Sequence, residues 1–484
     1  MFYKASVFDK PIGSWDTTEV KAMNSMFYDA FTFNQPIGSW NTSNVEKMNS
    51  MFDDAQSFNQ PVGNWDTSQV YAMNDMFYDA YVFDQPIGSW NTSKVSYMYF
   101  MFGYTNLFNQ PIGDWDIAQV SNADDMFQRA SSFNQPIGDW NVLQITSMSA
   151  MFRNAASFSR PIDTWDVSQV YNMYQMFYNS TNFNQCLSTW AGKTAGVTNM
   201  TSAFEKQKKF NQPLQCWDTS SVTTMEGMFY YAEKFNQGLN SWDTSNVESM
   251  VNMFSGADSF AKSIGNWTTS KVTSMFSMFE FATSFNTDIS DWDTGNVDSF
   301  SYMFGNARSF NAPIGSWDTE KATNMTGMFF YADKFNQEIS EWNTGAVTSM
   351  FATFYAATIF NQDLSEWKTG KATSMYSMFE YAENFNSPID SWDISSVTSI
   401  ENMFSAAYAF NSPVGSWKTA EVYSMYGTFY EATSFDQPIE DWDVSKVTYM
   451  ESMFYKAKVF NQPLDKWEVG NVNTMEYMFD TALK

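Results

Sequence analysis

The chain has 484 residues, 26 Lys plus Arg against 53 Asp plus Glu, and a formal net charge of -27 with no histidine at all. Such an acidic surface repels phosphate backbones and anionic lipid, which argues against nucleic-acid binding and attachment to charged membranes. The lack of histidine removes the usual neutral-pH acid/base and the commonest metal ligand, and with no coil gathering a unique set of carboxylates the chain reads as a non-enzyme. No apolar run approaches bilayer-spanning length.

The chain opens with MFYKASVF, which already lies inside a repeat, since Met1 and Phe2 match Met26 and Phe27. FDKPIGSWDTTEV at residue 8 returns as FNQPIGSWNTSNV at 33, FNQPVGNWDTSQV at 58 and FDQPIGSWNTSKV at 83. The 19 Trp fall 25 residues apart except for one interval of 27, between Trp190 and Trp217. A period of this length overrides any division into ordinary domains. Residues 1–484 therefore read as one continuous solenoid, with an irregular coil at 190–217.

Within a repeat, Met23, Met26, Phe27, Ala30 and Phe33 are spaced like one face of a helix of two to three turns. A short helix is expected there. Pro36 and its equivalents lack an N–H and mark the start of a short strand through Ile37 to Trp40, followed by a polar turn at NTSN. The fold class is accordingly an α/β solenoid of about 19 repeats, with short parallel strands on one side and short helices on the other.

Several columns carry polar or aromatic side chains worth weighing as sites. Asn34, Asn59, Asn109 and Asn134, with Asp9, Asp84 and Asp436 in the same column, read as a ladder bonded to neighbouring coils, or else as a row of ligand-binding amides. Trp40, Trp65 and Trp90 read as a core ladder beside the Met and Phe columns. After each Trp, Asp16, Asn41, Asp66, Asn91, Asp116, Asn141 and Asp166 alternate strictly. Both residue types make turns. Asp16, Asp66, Asp116 and Asp166 also have the hard oxygens that suit calcium, although Lys368 and Lys418 occupy this column later. A Thr column (Thr17, Thr42, Thr67, Thr92, Thr219, Thr244), interrupted at Ile117, Val142 and Val167, raises ice binding through regular hydroxyls. Tyr28, Tyr78 and Tyr178 are candidate glycan-stacking rings.

The irregular coil WAGKTAGVTNM carries two extra residues between Trp190 and Val197 and is flanked by Cys186 and Cys216, the two cysteines of the chain. A disulfide between them would clamp the insertion; the alternative is two free thiols.

The run VTxMxxMFxxAxxFNQxIxxWDTSN, present as VTSMFSMFEFATSFNTDISDWDTGN from Val272, resembles the repeat of BspA-like leucine-rich-repeat surface proteins of bacteria, protists and algae. The resemblance implies a right-handed leucine-rich-repeat-like solenoid, an extracellular or cell-surface location, and adhesion or binding of other proteins or glycans, without cofactors. Phe, Trp and Ile stand where many members have Leu, and neither a signal peptide nor a lipid-attachment Cys stands at the start. The chain closes with MFDTALK, again in mid-repeat, and neither end has a divergent capping repeat. The expectation is a longer parent chain, or head-to-tail self-assembly into extended structures.

Overall fold

The computed structural model describes residues 1–482, and the chain divides into two units at the boundary between Asn246 and Val247. In the first unit, isolated parallel bridges join Ala22, Lys47, Ala72 and Tyr97 in turn, and then Asn122, Ser147, Asn172, Asn199 and Thr224. In the second unit they run from Ser249 through Ser274 and Ser299 to Thr474. Each partner lies one repeat along the chain. Within each unit the period is thus one coil, and the bridged coils stack in register.

The expected helix is absent. Among the described residues, the one helical element is a 3-10 turn at Ser188–Trp190. The stretch from Met23 to Phe33 is instead a chain of tight turns, in which the amides of Met26, Tyr28, Ala30 and Phe33 donate to the carbonyls of Met23, Ser25, Phe27 and Ala30. A turn brings its first and fourth residues together on one side, so a run of turns places apolar residues three and four apart as a helix does. The periodicity was real. Its cause was a different backbone.

The remaining amides explain why turns win. Met23, Ser25, Phe27 and Asp29 donate to Lys47, Asn49, Met51 and Asp53 of the next coil, at 2.9 Å in each case. A helix would direct all of these donors inside its own segment and leave the neighbouring carbonyls without partners. A helix of this length is also marginal by itself. The strand expected at Ile37–Trp40 is likewise a turn, closed by the Trp40 amide on the Ile37 carbonyl at 3.1 Å. Inter-coil pairing sits at the residue before the first Met, as at Lys47 and Ala72.

This geometry forces two left-handed residues into each coil: Ser25 and Asp29 at φ 52 and 56, Ser50 and Asp54 at 53 and 57, and Ala352 and Ala356 at 52 and 54. Each is the third residue of a turn, the position that a type II turn holds at positive φ. Asn, Asp and Ser tolerate it through local hydrogen bonds, but Phe100, Tyr302 and Arg129 stand there too. What holds them is the neighbouring coil, because Phe100, Arg129 and Tyr302 donate their amides to Asp124, Arg153 and Thr326 across the stack, as Ala356 does to Glu380 at 2.7 Å.

The inward residues build three columns of rings. In the first unit Phe27 stacks on Phe52 at 5.5 Å, Phe33 on Phe58 at 6.0 Å and Trp40 on Trp65 at 6.5 Å, all within 7° of parallel. In the second unit Phe279–Phe304, Phe285–Phe310 and Trp292–Trp317 repeat the pattern at 5.8, 6.0 and 6.4 Å. Within a coil, Phe27 and Phe33 lie 3.9 Å apart. These rings are almost wholly buried.

The extra residues of the irregular coil are absorbed locally. Gly192, at φ 70 with open space around it, turns the chain so that Lys193 donates to the Trp190 carbonyl and Thr194 regains the Thr column, donating to Asp218 at 3.0 Å.

Replacing Ala356, held at φ 54, by Gly should stabilise the second unit by about 1 kcal/mol, because the β-carbon is what makes that conformation costly. Ala357→Gly, one residue on in the ordinary region, should destabilise by a similar amount. Denaturant midpoints of the two variants check this, and equal shifts in both would contradict the assignment of strain. Trp292→Ala should cost about 3 to 5 kcal/mol, with hydrogen exchange rising first in the coils that touch it.

Candidate functional site

The polar columns of the sequence divide into those used inside the stack and those left on its surface. In the Asn column Asn34, Asn59 and Asn134 are half-buried and Asn109 is exposed. The Asn34 Oδ1 accepts the Asn59 amide at 3.0 Å and the Gln60 Nε2 at 3.0 Å, and the Asn59 Oδ1 accepts from Asp84 and Gln85 in the same way. Asp84 passes the pattern to Asn109, and Asn109 to Asn134. Only the oxygen is needed, which is why Asp substitutes freely. The Trp indole N–H groups donate to carbonyls of the preceding coil: Trp40 to Ile12 at 3.2 Å, Trp65 to Ile37 at 3.3 Å and Trp90 to Val62 at 3.1 Å.

The Thr column is unsuited to contact with ice. Thr42, Thr67 and Thr92 are only 1 to 2% exposed, and their hydroxyls donate to Asp66, Asn91 and Asp116 carbonyls of the next coil at 2.8 to 3.0 Å. Thr17, Thr219 and, in the second unit, Thr269 behave alike. The side chain satisfies a carbonyl that the tight coil leaves over, so the column faces inward; Ile117, Val142 and Val167 fit it because it is core.

Asp16, Asp66, Asp116 and Asp166 each turn one oxygen back onto the amide two residues on, at 2.9 to 3.1 Å. Hydroxyl and amide donors at Thr18, Ser68 and Ser168 hold the carboxyls of Asp16, Asp66 and Asp166 below the ordinary range. Asn41 and Asn91 form the same turn with Ser43 and Ser93. Among the described residues no three His, Cys, Asp or Glu side chains are grouped as a metal would need.

Cys186 and Cys216 are free thiols, so the clamp expected across the irregular coil is not formed. They occupy different columns, and each turns to Ser188: the Cys186 Sγ lies 3.0 Å from the Ser188 Oγ, and the Cys216 thiol donates to the Ser188 carbonyl at 3.3 Å.

The candidate tyrosines are engaged with neighbours rather than open. Tyr28 stacks on Tyr3 at 4.8 Å, Tyr78 meets Tyr104 at 5.2 Å, and Tyr178 lies between Arg153 and Lys206, accepting from the Lys206 ammonium at 2.6 Å. The same face carries a group that sequence reading passed over. Asp29, Asp54 and Asp79 occupy one left-handed column on successive coils, with Asp53 and Asp75 beside them. Asp53 is only 8% exposed; burial, then the charges of Asp75, Asp54, Asp29 and Asp79, push its carboxyl up to about 8. Burial and Asp54 push Asp79 up to about 6. Lys4 opposes the rise at Asp29, and Asn74 opposes it at Asp75. The 25-residue spacing of Asp29, Asp54 and Asp79 was the available signal. The in-register stacking that turns it into crowding was not.

The family model described as "Mycoplasma protein of unknown function, DUF285" matches in seven overlapping stretches, 1–86, 57–163, 81–190, 146–262, 236–334, 310–414 and 388–484. The chain belongs to this family. A comparison with curated proteins finds no match. Among solved structures, a leucine-rich cell surface protein from Faecalibacterium prausnitzii aligns at 10% identity over 71% of this chain and 82% of its own, with a TM-score of 0.31. A leucine-rich repeat protein from Bacteroides ovatus aligns at 8% identity over 84% of this chain and 78% of its own, with a TM-score of 0.26. A chain of the Drosophila Toll–Spatzle complex aligns at 9% identity and a TM-score of 0.24; the alignment covers 92% of this DUF285 chain but 59% of the other. Likeness at these scores transfers neither geometry nor activity.

The raised carboxyls give the first unit a defined pH response. A group whose folded pKa lies above its unfolded value near 4 contributes stability in full below that value, and loses it as pH rises through the folded pKa. Stability of residues 1–246 should therefore decline between about pH 4 and pH 8, following Asp79 at about 6 and Asp53 at about 8. Asp53→Asn should flatten the upper part of that decline, and thermal melts at stepped pH measure it. Both thiols should alkylate in the native, unreduced protein, with the mass of two adducts as the readout.

Proposed function

We propose that this DUF285 chain is a non-enzymatic repeat scaffold of the BspA-like kind, right-handed in its winding, displayed at a cell surface or outside the cell and used in adhesion or assembly. The observation that carries this reading is how the polar residues are employed. Asn, Thr and Trp side chains that a catalytic centre would draw on are spent on neighbouring coils, one after another, along each unit. What remains outward is a long face of turn residues, rich in Tyr and carboxylates, repeated from coil to coil. Such a face suits distributed contact with other proteins or glycans. Among the described residues no helix is long and apolar enough to cross a membrane.

A ligand-binding module is the second reading, favoured by exposed aromatic residues such as Tyr81, Tyr171, Phe281, Tyr381 and Tyr408. Self-assembly is a third arm of the same proposal. Trp15 in the first coil and Met475 and Phe479 in the last are about 40% exposed, and further coils or a second copy would each cover them.

Protease shaving of intact producing cells, followed by beads coated with the 484-residue chain on host cells or matrix, tests the scaffold reading. The chain should be cleaved on intact cells, and bead adhesion should fall stepwise as coils are deleted. Resistance to shaving in intact cells with ready cleavage after lysis would overturn the surface assignment. Turnover of any polysaccharide would overturn the non-enzymatic one.

A further inference from the structure

The outward face is not uniform along the first unit. The second left-handed column reads Asp29, Asp54 and Asp79, then Tyr104, then Arg129, Asn154 and Asn179, and then Lys206. It passes from acidic to basic within a few coils. At the crossing lies an open groove of about 390 Å³, lined by Asp79, Tyr81, Tyr104, Asn106, Arg129 and Ser131 among others.

The coil's own geometry makes this groove. The residues on either side of the buried small-residue column (Ala80, Thr105, Ala130) point outward, so the side chains at 79, 104 and 129 form one wall and those at 81, 106 and 131 the other. A two-residue hydrogen bond, from the Tyr81 amide to the Asp79 carbonyl at 2.8 Å, lifts Tyr81 outward, and the residue is 50% exposed. The Arg129 guanidinium lies 4.9 Å above the Tyr104 ring and makes no ion pair among the described residues. The Ser131 hydroxyl bonds Asn106 at 3.3 Å and the Arg129 carbonyl at 3.2 Å, fixing the second wall.

We propose that this groove binds an acidic saccharide, a sugar unit that carries a carboxylate. Each wall element matches one part of such a ligand. Tyr81 offers an aromatic face to the C–H side of a pyranose ring. Arg129, braced on Tyr104, presents the planar fork that pairs with a carboxylate through two parallel hydrogen bonds. Asp79, Asn106 and Ser131 supply acceptors and donors for ring hydroxyls. An acidic peptide would satisfy Arg129 but would leave this hydroxyl-matching set without a role.

A second groove, of about 440 Å³ and within the second unit, draws on the same two columns. It is lined by Tyr408, Glu431, Thr433, Lys456 and Lys458, repeating the combination of tyrosine, carboxylate, hydroxyl and cation. There Lys456 is already paired with Glu431 at 2.7 Å, which leaves the first groove as the stronger anion site.

The inference gives the ligand-binding reading a location, and it stands whether or not the chain is a surface scaffold. The test titrates the full chain, in a Lys458→Gln background that silences the second groove, with galacturonate trisaccharide and sialyl-lactose against galactotriose and lactose. Saturable binding of at least one acidic sugar is expected, with the neutral counterparts much weaker. Arg129→Gln should weaken it about tenfold or more through loss of the paired hydrogen bonds, and Arg129→Lys should restore part of it. Tyr81→Ala should weaken binding of the acidic sugar as well, and an unchanged melting temperature in each variant shows that folding is intact. Arg153→Gln, one coil along, should leave binding unchanged. No saturation by either acidic sugar at about 10 mM, equal binding of neutral sugars, or indifference to Arg129→Gln would each overturn the proposal. So would an Asp/Glu peptide that binds where neither acidic sugar does.

Discussion

The division of backbone amides between a coil and its neighbour is the constraint on which everything else rests. Alternate N–H groups from Met23 to Asp29 close turns inside the coil or reach the carbonyls of the next one, and neither set can be redirected without orphaning the other. That division excludes the helix, places left-handed residues at fixed points and locks the coils in register. The register in turn superimposes identical side chains, so that one Phe, Trp or Asn per repeat becomes a column. The ring stacks and the amide ladder are consequences of in-register stacking and not independent devices.

Much of this organisation was legible in the sequence. The Trp spacing fixes the coil length and the irregular coil, and the Phe and Met positions give the core, because burial depends on which residues face inward and not on the conformation that turns them there. The helix was misread for a specific reason: consecutive turns and a helix share the three-and-four spacing of apolar residues. The distinguishing signal lay in the outward positions, where Asn24, Ser25 and Asp29, or Ser50, Asp53 and Asp54, are residues that favour turns and tolerate positive φ. Helix formers are scarce there.

The site was less legible than the fold. Whether a repeated polar residue faces the neighbouring coil or the solvent depends on a rotation of the coil that periodicity does not report. The Thr hydroxyls turned inward onto carbonyls, while Tyr81, with nothing in its column to single it out, turned outward beside Arg129. The carboxylate cluster around Asp53 was hidden for a related reason. Residues 22 to 26 apart in sequence become neighbours only once the stacking register is known, and only then does their mutual repulsion matter.

The way the irregular coil accommodates its insertion has a consequence for how such chains can diversify. Gly192 and Lys193 bulge out between Trp190 and Thr194, and the Trp and Thr on either side keep the bonds that the Trp and Thr columns make elsewhere, as at Trp65 and Thr67. The corner after the Trp is therefore a tolerant splice point. Longer segments inserted there would project from the edge of the stack without disturbing its register, so that a monotonous framework could carry a different exposed loop on any coil, much as a rack accepts interchangeable cards.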